Sequence, residues 1–162
     1  MAADLKLKYG TDNQTITITL ASNANNVVQA STVVDNTANL YKDALVMVKI
    51  KTNASGTSAT GYLNLYFFGT VDTAGPTYPE GATGTDGTVT LTAPPNLPPP
   101  VIMNAVANAT SYTAGPFSVR QAFGGSMPEK WGVIIENKTG AALDSTAGNH
   151  KVIYQGQLEQ SV

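Results

Sequence analysis

Alternation of apolar and polar residues is the strongest signal in this chain, and it reads as strand wherever it is clear. Gln14 to Leu20 puts Ile16, Ile18 and Leu20 on one face and Thr15, Thr17 and Thr19 on the other, the two-residue period of a half-buried strand. Asp43 to Thr52 places Ala44, Val46, Val48 and Ile50 together. Its other face changes from apolar at Leu45 and Met47 to charged at Lys49 and Lys51, which predicts a strand covered at one end and wet at the other. Gly61 to Gly69 is apolar on both sides, with Leu63, Leu65 and Phe67 opposite Tyr62, Tyr66 and Phe68. Such a strand is either central in a sandwich covered on both faces or packed against another subunit.

Gly87 to Thr92 alternates again, and further strands are predicted at 101–107, 117–120, 130–137 and 151–157. Turn signals lie between them, at 53–56, 72–76, 85–87 and 139–140. Only short helical pieces fit, at 33–42 or around 121–123, and neither carries a full apolar stripe. No heptad or internal repeat is present, which weighs against a fibrous shaft. About eight short strands separated by turns predict an all-β sandwich or barrel. Ala93 to Pro100 holds five of the nine prolines. Proline donates no ladder hydrogen bond, so this stretch is predicted to be a stiff, extended crossover and not a central strand.

The N-terminal region divides the chain into residues 1–26, a strand or arm segment, and residues 27–162, the β-sandwich domain. Leu5 to Tyr9 and Gln14 to Leu20 are two alternating runs, followed by Ala21 to Asn26. Two placements are open: an arm that joins a neighbouring molecule by strand addition or exchange, or ordinary strands of the sandwich.

Composition sharpens this picture. At 162 residues the length fits one domain. Only 12% of residues are charged, against about 25% in ordinary domains. Thr, Asn, Ser and Gly take their place, favouring strands and turns over helices. Nine Lys and Arg against eleven Asp and Glu give a net charge of -2, too sparse a basic set to neutralise many phosphates, so no nucleic-acid partner is expected. Cysteine is absent, which excludes disulfides and thiolate chemistry. The opening Met-Ala-Ala-Asp-Leu-Lys lacks a basic-then-apolar leader, and no apolar run approaches membrane length. Neither export nor membrane insertion is expected.

Catalytic candidates are few. His150 is the single imidazole, near Asp144 and Ser145 in sequence, but adjacency does not supply triad geometry. Asp72 and Glu80 bracket Tyr78, the best pair of carboxylates for sugar chemistry, although turn carboxylates more often cap amides. Phe123-Gly-Gly-Ser126 and Gly81-Ala-Thr-Gly84 lack the strand-loop-helix context and lysine of a phosphate cradle. The tripeptides at Asn13, Asn53, Asn108 and Asn137 fit the N-glycosylation pattern, which without a leader carries no weight. No catalytic, cofactor or metal residue is expected, and the chain does not read as an enzyme. Trp131 shares a strand face with Val133 and Ile135, which predicts a core side chain; exposed in a groove with Tyr62 and Tyr66, it would instead serve sugar stacking.

Several runs resemble one family. They are the run from Val34 to Val48, Gly61-Tyr-Leu-Asn-Leu-Tyr66, Gly115-Pro-Phe-Ser-Val119, Phe123-Gly-Gly125, and Pro128 to Gly140. Together they are similar to small structural proteins of tailed-bacteriophage virions, specifically capsid decoration (cement) proteins, over residues 27–158. The resemblance implies a jelly-roll-like β-sandwich, a homotrimer, and the major capsid protein as partner. It implies a place on the capsid exterior after synthesis in the host cytoplasm, with no catalytic residue carried over. A receptor- or carbohydrate-binding sandwich of a head fibre or tail tip is the alternative. It requires Trp131, or Tyr62 and Tyr66, to be exposed, whereas a cement protein buries them.

Overall fold

A computed structural model describes residues 5–161 of the chain. Its strands are β1 (Leu5–Tyr9), β2 (Gln14–Thr15), β3 (Val28–Ala30), β4 (Val34–Asp35), β5 (Asp43–Lys51) and β6 (Tyr62–Thr70). They continue with β7 (Gly87–Val89), β8 (Val101–Asn104), β9 (Ser111–Ser118), β10 (Lys130–Lys138) and β11 (Lys151–Ser161). One short helix, α1 (Val119–Ala122), follows β9. The front sheet runs β1-β11-β5-β9, with β2 also on β11; the rear sheet runs β7-β3-β10-β6-β8, with β4 on β10. Every pairing is antiparallel. The protein is an all-β sandwich.

The core lies where the alternation places it. Ala44, Val46, Val48 and Ile50 of β5 and Val152 of β11 meet Leu63, Leu65 and Phe67 of β6 and Trp131, Val133 and Ile135 of β10. Moving β5 or β11 by one residue would turn its inward apolar set out to solvent, so burial sets their register. Apart from β1 to β2 and β3 to β4, which stay in one sheet, the strands change sheet at each connection except between β6 and β8.

That exception explains the second apolar face of β6. The chain leaves β6, forms β7 at one edge of the rear sheet, and returns to β8 at the other edge. On the way Tyr78, Ala82, Leu91 and Leu97 pack onto Tyr66, Phe68 and Ile134. The face expected to meet either a second layer or another subunit is therefore covered by the chain itself. Gly132 makes room for it, since a Cβ there would lie 2.7 Å from the Phe68 ring and 2.8 Å from the Ser31 hydroxyl.

The proline-rich crossover is part of this return path and contains no strand. Glu80 anchors it, its carboxylate accepting from the Thr92 amide at 2.5 Å, the Asn96 amide at 2.6 Å and the Thr92 hydroxyl at 2.9 Å.

Some elements differ from expectation. Of Gln14 to Leu20 only the first two residues join a ladder, yet Ile16 and Leu20 are buried in the core. The side chains follow the pattern while the backbone turns away after the Ile16 amide bonds Val152. The segment expected at 117–120 is instead the end of β9 and the start of α1, whose first turn is capped by the Ser118 hydroxyl accepting from the Gln121 amide. Residues 33–42 are not helical: β4 leads into a turn in which Asn36 bonds Tyr41 through both backbone groups and Asp35 bonds Thr37.

Candidate docking surface

His150, Asp144, Asp72 and Glu80 are each engaged structurally. His150 Nδ1 accepts from the Lys51 amide, and Nε2 lies 2.8 Å from the Asp144 carbonyl, which requires it to donate. The Asp144 carboxylate accepts from the Thr146 amide and the Asn149 side chain. Asp72 caps the amides of Ala74 and Gly75, while Glu80 holds the proline-rich segment. Among the described residues no group of three His, Asp or Glu is placed to hold a metal ion. No described helix is long and apolar enough to cross a membrane.

The same hydrogen bonds fix the acid behaviour of these groups. The Asn149 amide and the Thr146 backbone, with Lys51 nearby, lower the Asp144 carboxyl to about 2. Glu80 is lowered chiefly by the Thr92 amide. Burial alone would raise Asp86, but hydrogen bonds from Thr19 and Gln29 outweigh it and lower the group. Asp86 thereby joins the N-terminal segment to β3, which sequence proximity does not reveal.

The aromatic side chains proposed for sugar stacking are not free. Trp131 and Phe68 are fully buried, and Tyr66 is buried beneath the chain crossing the rear sheet. Only Tyr62 is half-exposed.

Three exposed apolar side chains share β1 of the front sheet, while Leu40, Val71, Ile102 and Val106 are exposed elsewhere. The last residues of β11, beyond Gln157 opposite Asp43 of β5, pair only with β1, from Leu5 opposite Ser161 to Lys8 opposite Leu158. This two-stranded ribbon carries Leu5, Leu7 and Tyr9 on one side at 68%, 59% and 50% exposure, with Lys6 and Lys8 on the other. Among the described residues the outer edge of β1 has no partner. An apolar strand with a free edge is a template for another chain.

Both β1 and β2 pair with β11 of their own chain. Residues 5–9 make the ribbon with their own chain, while Asn23 is buried and the 21–26 backbone bonds Asn137, Leu143 and Asp144. Residues 1–4 lie outside the described part. Sequence alternation marked Leu5 to Tyr9 as a strand but gave no means of finding its partner, 150 residues away.

Next to the ribbon, the outer face of β5 is not covered at its apolar end as expected: Met47 is exposed and Leu45 only partly buried. Leu45 and Met47 line a shallow groove with Pro116 and Ile153, walled by Asp12 and Asn13. Gln155 holds that wall through the Gly10 carbonyl and the Asp12 carboxylate. Lys49 and Lys51 continue the face beyond it. Neither a protein-family model nor a curated protein matches this chain.

Proposed function

We propose that this is a non-enzymatic structural protein of a bacteriophage virion, a decoration protein that binds the outside of the capsid and stabilises it. We read the sandwich as a jelly roll. Taking β1/β2 and β3/β4 as two interrupted strands, the first pairs with the last and the second with the one before last, and the chain alternates between sheets except from β6 to β8. That architecture occurs in viral capsid proteins and also in lectins, so the fold alone does not choose a function.

The observation that carries the reading is the projecting ribbon. A protein that cements a shell needs a rigid body and a segment that reaches a neighbour, and residues 5–9 with the end of β11 form such a segment. The buried state of Trp131 and Tyr66 disfavours the carbohydrate-binding alternative at the positions named for it. The partners in this reading are the major capsid protein and further copies of the chain, assembled as a trimer. Support for the trimer is the resemblance and the low net charge, since the outer face of β6 is already covered.

The experiment is to add protein lacking residues 1–9 to capsids stripped of their decoration. It is expected to fold normally and to leave the shells bare. Full decoration by the shortened protein would refute a docking role for the ribbon, and failure of the full chain to bind would refute the decoration reading.

A further inference from the structure

Lys151 and Lys49 stand directly opposite each other across β11 and β5, and Thr113 continues their row on β9. Among the described residues the ion pairs are Lys42–Glu159, Lys51–Asp144, Lys130–Asp35 and Lys138–Glu136. Neither Lys49 nor Lys151 belongs to one. Like charges directly opposite on a sheet destabilise it, and a threonine at either position would remove the repulsion. A local rule broken without structural compensation is characteristic of a functional surface.

The next row along the same face is apolar. Ile153 is the cross-strand partner of Met47, and Pro116 lies beside them in the groove. Two residues of strand separate the rows, about 7 Å. The face therefore offers a basic row and an apolar row side by side.

Charge over the whole molecule is segregated in the same sense. The segregation is partial: all basic residues except Lys130 and Lys138 lie on the front sheet or its adjoining segments, where Asp12, Asp43, Asp144 and Glu159 also lie, whereas Asp35, Asp72, Glu80, Asp86, Glu129 and Glu136 belong to the rear. Most rear carboxylates are already engaged, which argues against a second copy as the occupant. Asp35 and Glu136 are paired with lysines, and Asp72, Glu80 and Asp86 accept hydrogen bonds from their own chain.

We propose that the Lys49–Lys151 row and the Ile153–Met47–Pro116 row form a docking face for an acidic surface of another protein, one carrying an apolar side chain beside its carboxylates. Nothing in this geometry depends on which assembly the chain joins. The match is electrostatic and apolar together, so affinity should fall with added salt yet not reduce to net charge.

A Leu-Ser-Glu-Ser repeat peptide, which presents leucine and glutamate on one face when extended, serves as the probe. Octaglutamate and a DNA duplex of equal charge serve as comparators, each titrated by fluorescence anisotropy at low and moderate salt. The full chain is expected to bind the repeat peptide at least tenfold more tightly than octaglutamate. A Lys49→Thr/Lys151→Thr variant should lose at least tenfold in affinity while melting at or above the temperature of the parent. A Lys6→Thr/Lys8→Thr variant should bind as the parent does. Absence of peptide binding by the parent would overturn the proposal, as would parental affinity in the Lys49/Lys151 variant. Tighter binding to DNA than to the peptide would assign the lysine row to nucleic acid instead.

Discussion

Trp131 on β10 and Tyr154 on β11 meet edge to face, with ring centroids 5.4 Å apart and planes at 84°. The contact joins the rear sheet to the front one, the buried indole meeting a partly buried tyrosine at the margin of the core. Burial also pushes the Tyr154 hydroxyl above its ordinary value. Truncating Trp131 to alanine removes the largest fully buried side chain and should cost on the order of 3–5 kcal/mol. Denaturant unfolding would register this as a lower midpoint at an unchanged slope. The indole nitrogen has no hydrogen-bond partner, so Trp131→Phe removes an unsatisfied polar group together with packing. Its loss should be clearly the smaller of the two. A Trp131→Ala protein that unfolds like the parent would show that the side chain does not hold the sheets together.

Acid should weaken the fold over a defined window. Asp144, Glu80 and Asp86 all titrate below their ordinary values in the folded protein, so the folded state holds these protons less tightly than the unfolded chain. The stability they lend is complete above the unfolded values, 4.5 for Glu80 and 3.8 for the aspartates. It is lost as pH falls through the folded values, which for Asp144 is about 2. Melting temperature should therefore decline as pH is lowered from about 4.5 toward 2. Asp144→Asn should show a shallower decline than the parent. Equal slopes for the two proteins would remove Asp144 from the account.

The long strands were legible because their side chains alternate and their burial is one-sided. β5, β6, β10 and the first part of β11 fall where the alternation puts them, with Trp131 inside. β9 was largely missed because Gly115-Pro116 interrupts its alternation, and in the fold they sit at a bulge between Val46 and Val48 of the partner strand. Local pattern also cannot report long-range pairing. That Lys49 faces outward followed from alternation, but its apposition to Lys151 depends on the β5–β11 register. The cover over β6 was ambiguous for the same reason, since Leu91 and Leu97 lie beyond a loop whose path no periodicity describes.

Gly115 offers a direct check on that bulge. Its φ is +117°, and a Cβ would lie 2.5 Å from the Val46 carbonyl and 3.1 Å from the Met47 Cα. Backbone cannot give way as a flexible side chain can, so Gly115→Ala should destabilise by more than about 1 kcal/mol. Gly148, with open space around its would-be Cβ, is the control, and Gly148→Ala should melt close to the parent. Similar melting of both variants would mean that the β5–β9 pairing accommodates a side chain at the bulge.

Two truncations separate ribbon from sandwich at the N-terminus. Leu5, Leu7 and Tyr9 are exposed, so removing residues 1–9 takes away little apolar burial and one edge strand. Ile16 and Leu20 are buried against the core, and the Thr19 amide and hydroxyl both bond Asp86. Beginning the chain near Ala24 would delete two aliphatic core side chains, each worth about 1.5–3 kcal/mol of burial, and would leave the Asp86 carboxylate without its Thr19 donors. That sum is comparable to the total stability of a small domain, about 5–15 kcal/mol. The shorter deletion should therefore melt cooperatively within a few degrees of the full chain. The longer one should unfold or expose its core to a hydrophobic dye. Cooperative melting of the chain begun near Ala24 would show that residues 10–23 are dispensable to the sandwich, and the reach of the arm would then extend past Leu20. Collapse of the shorter deletion would show that β1 stabilises β11 beyond the ribbon itself.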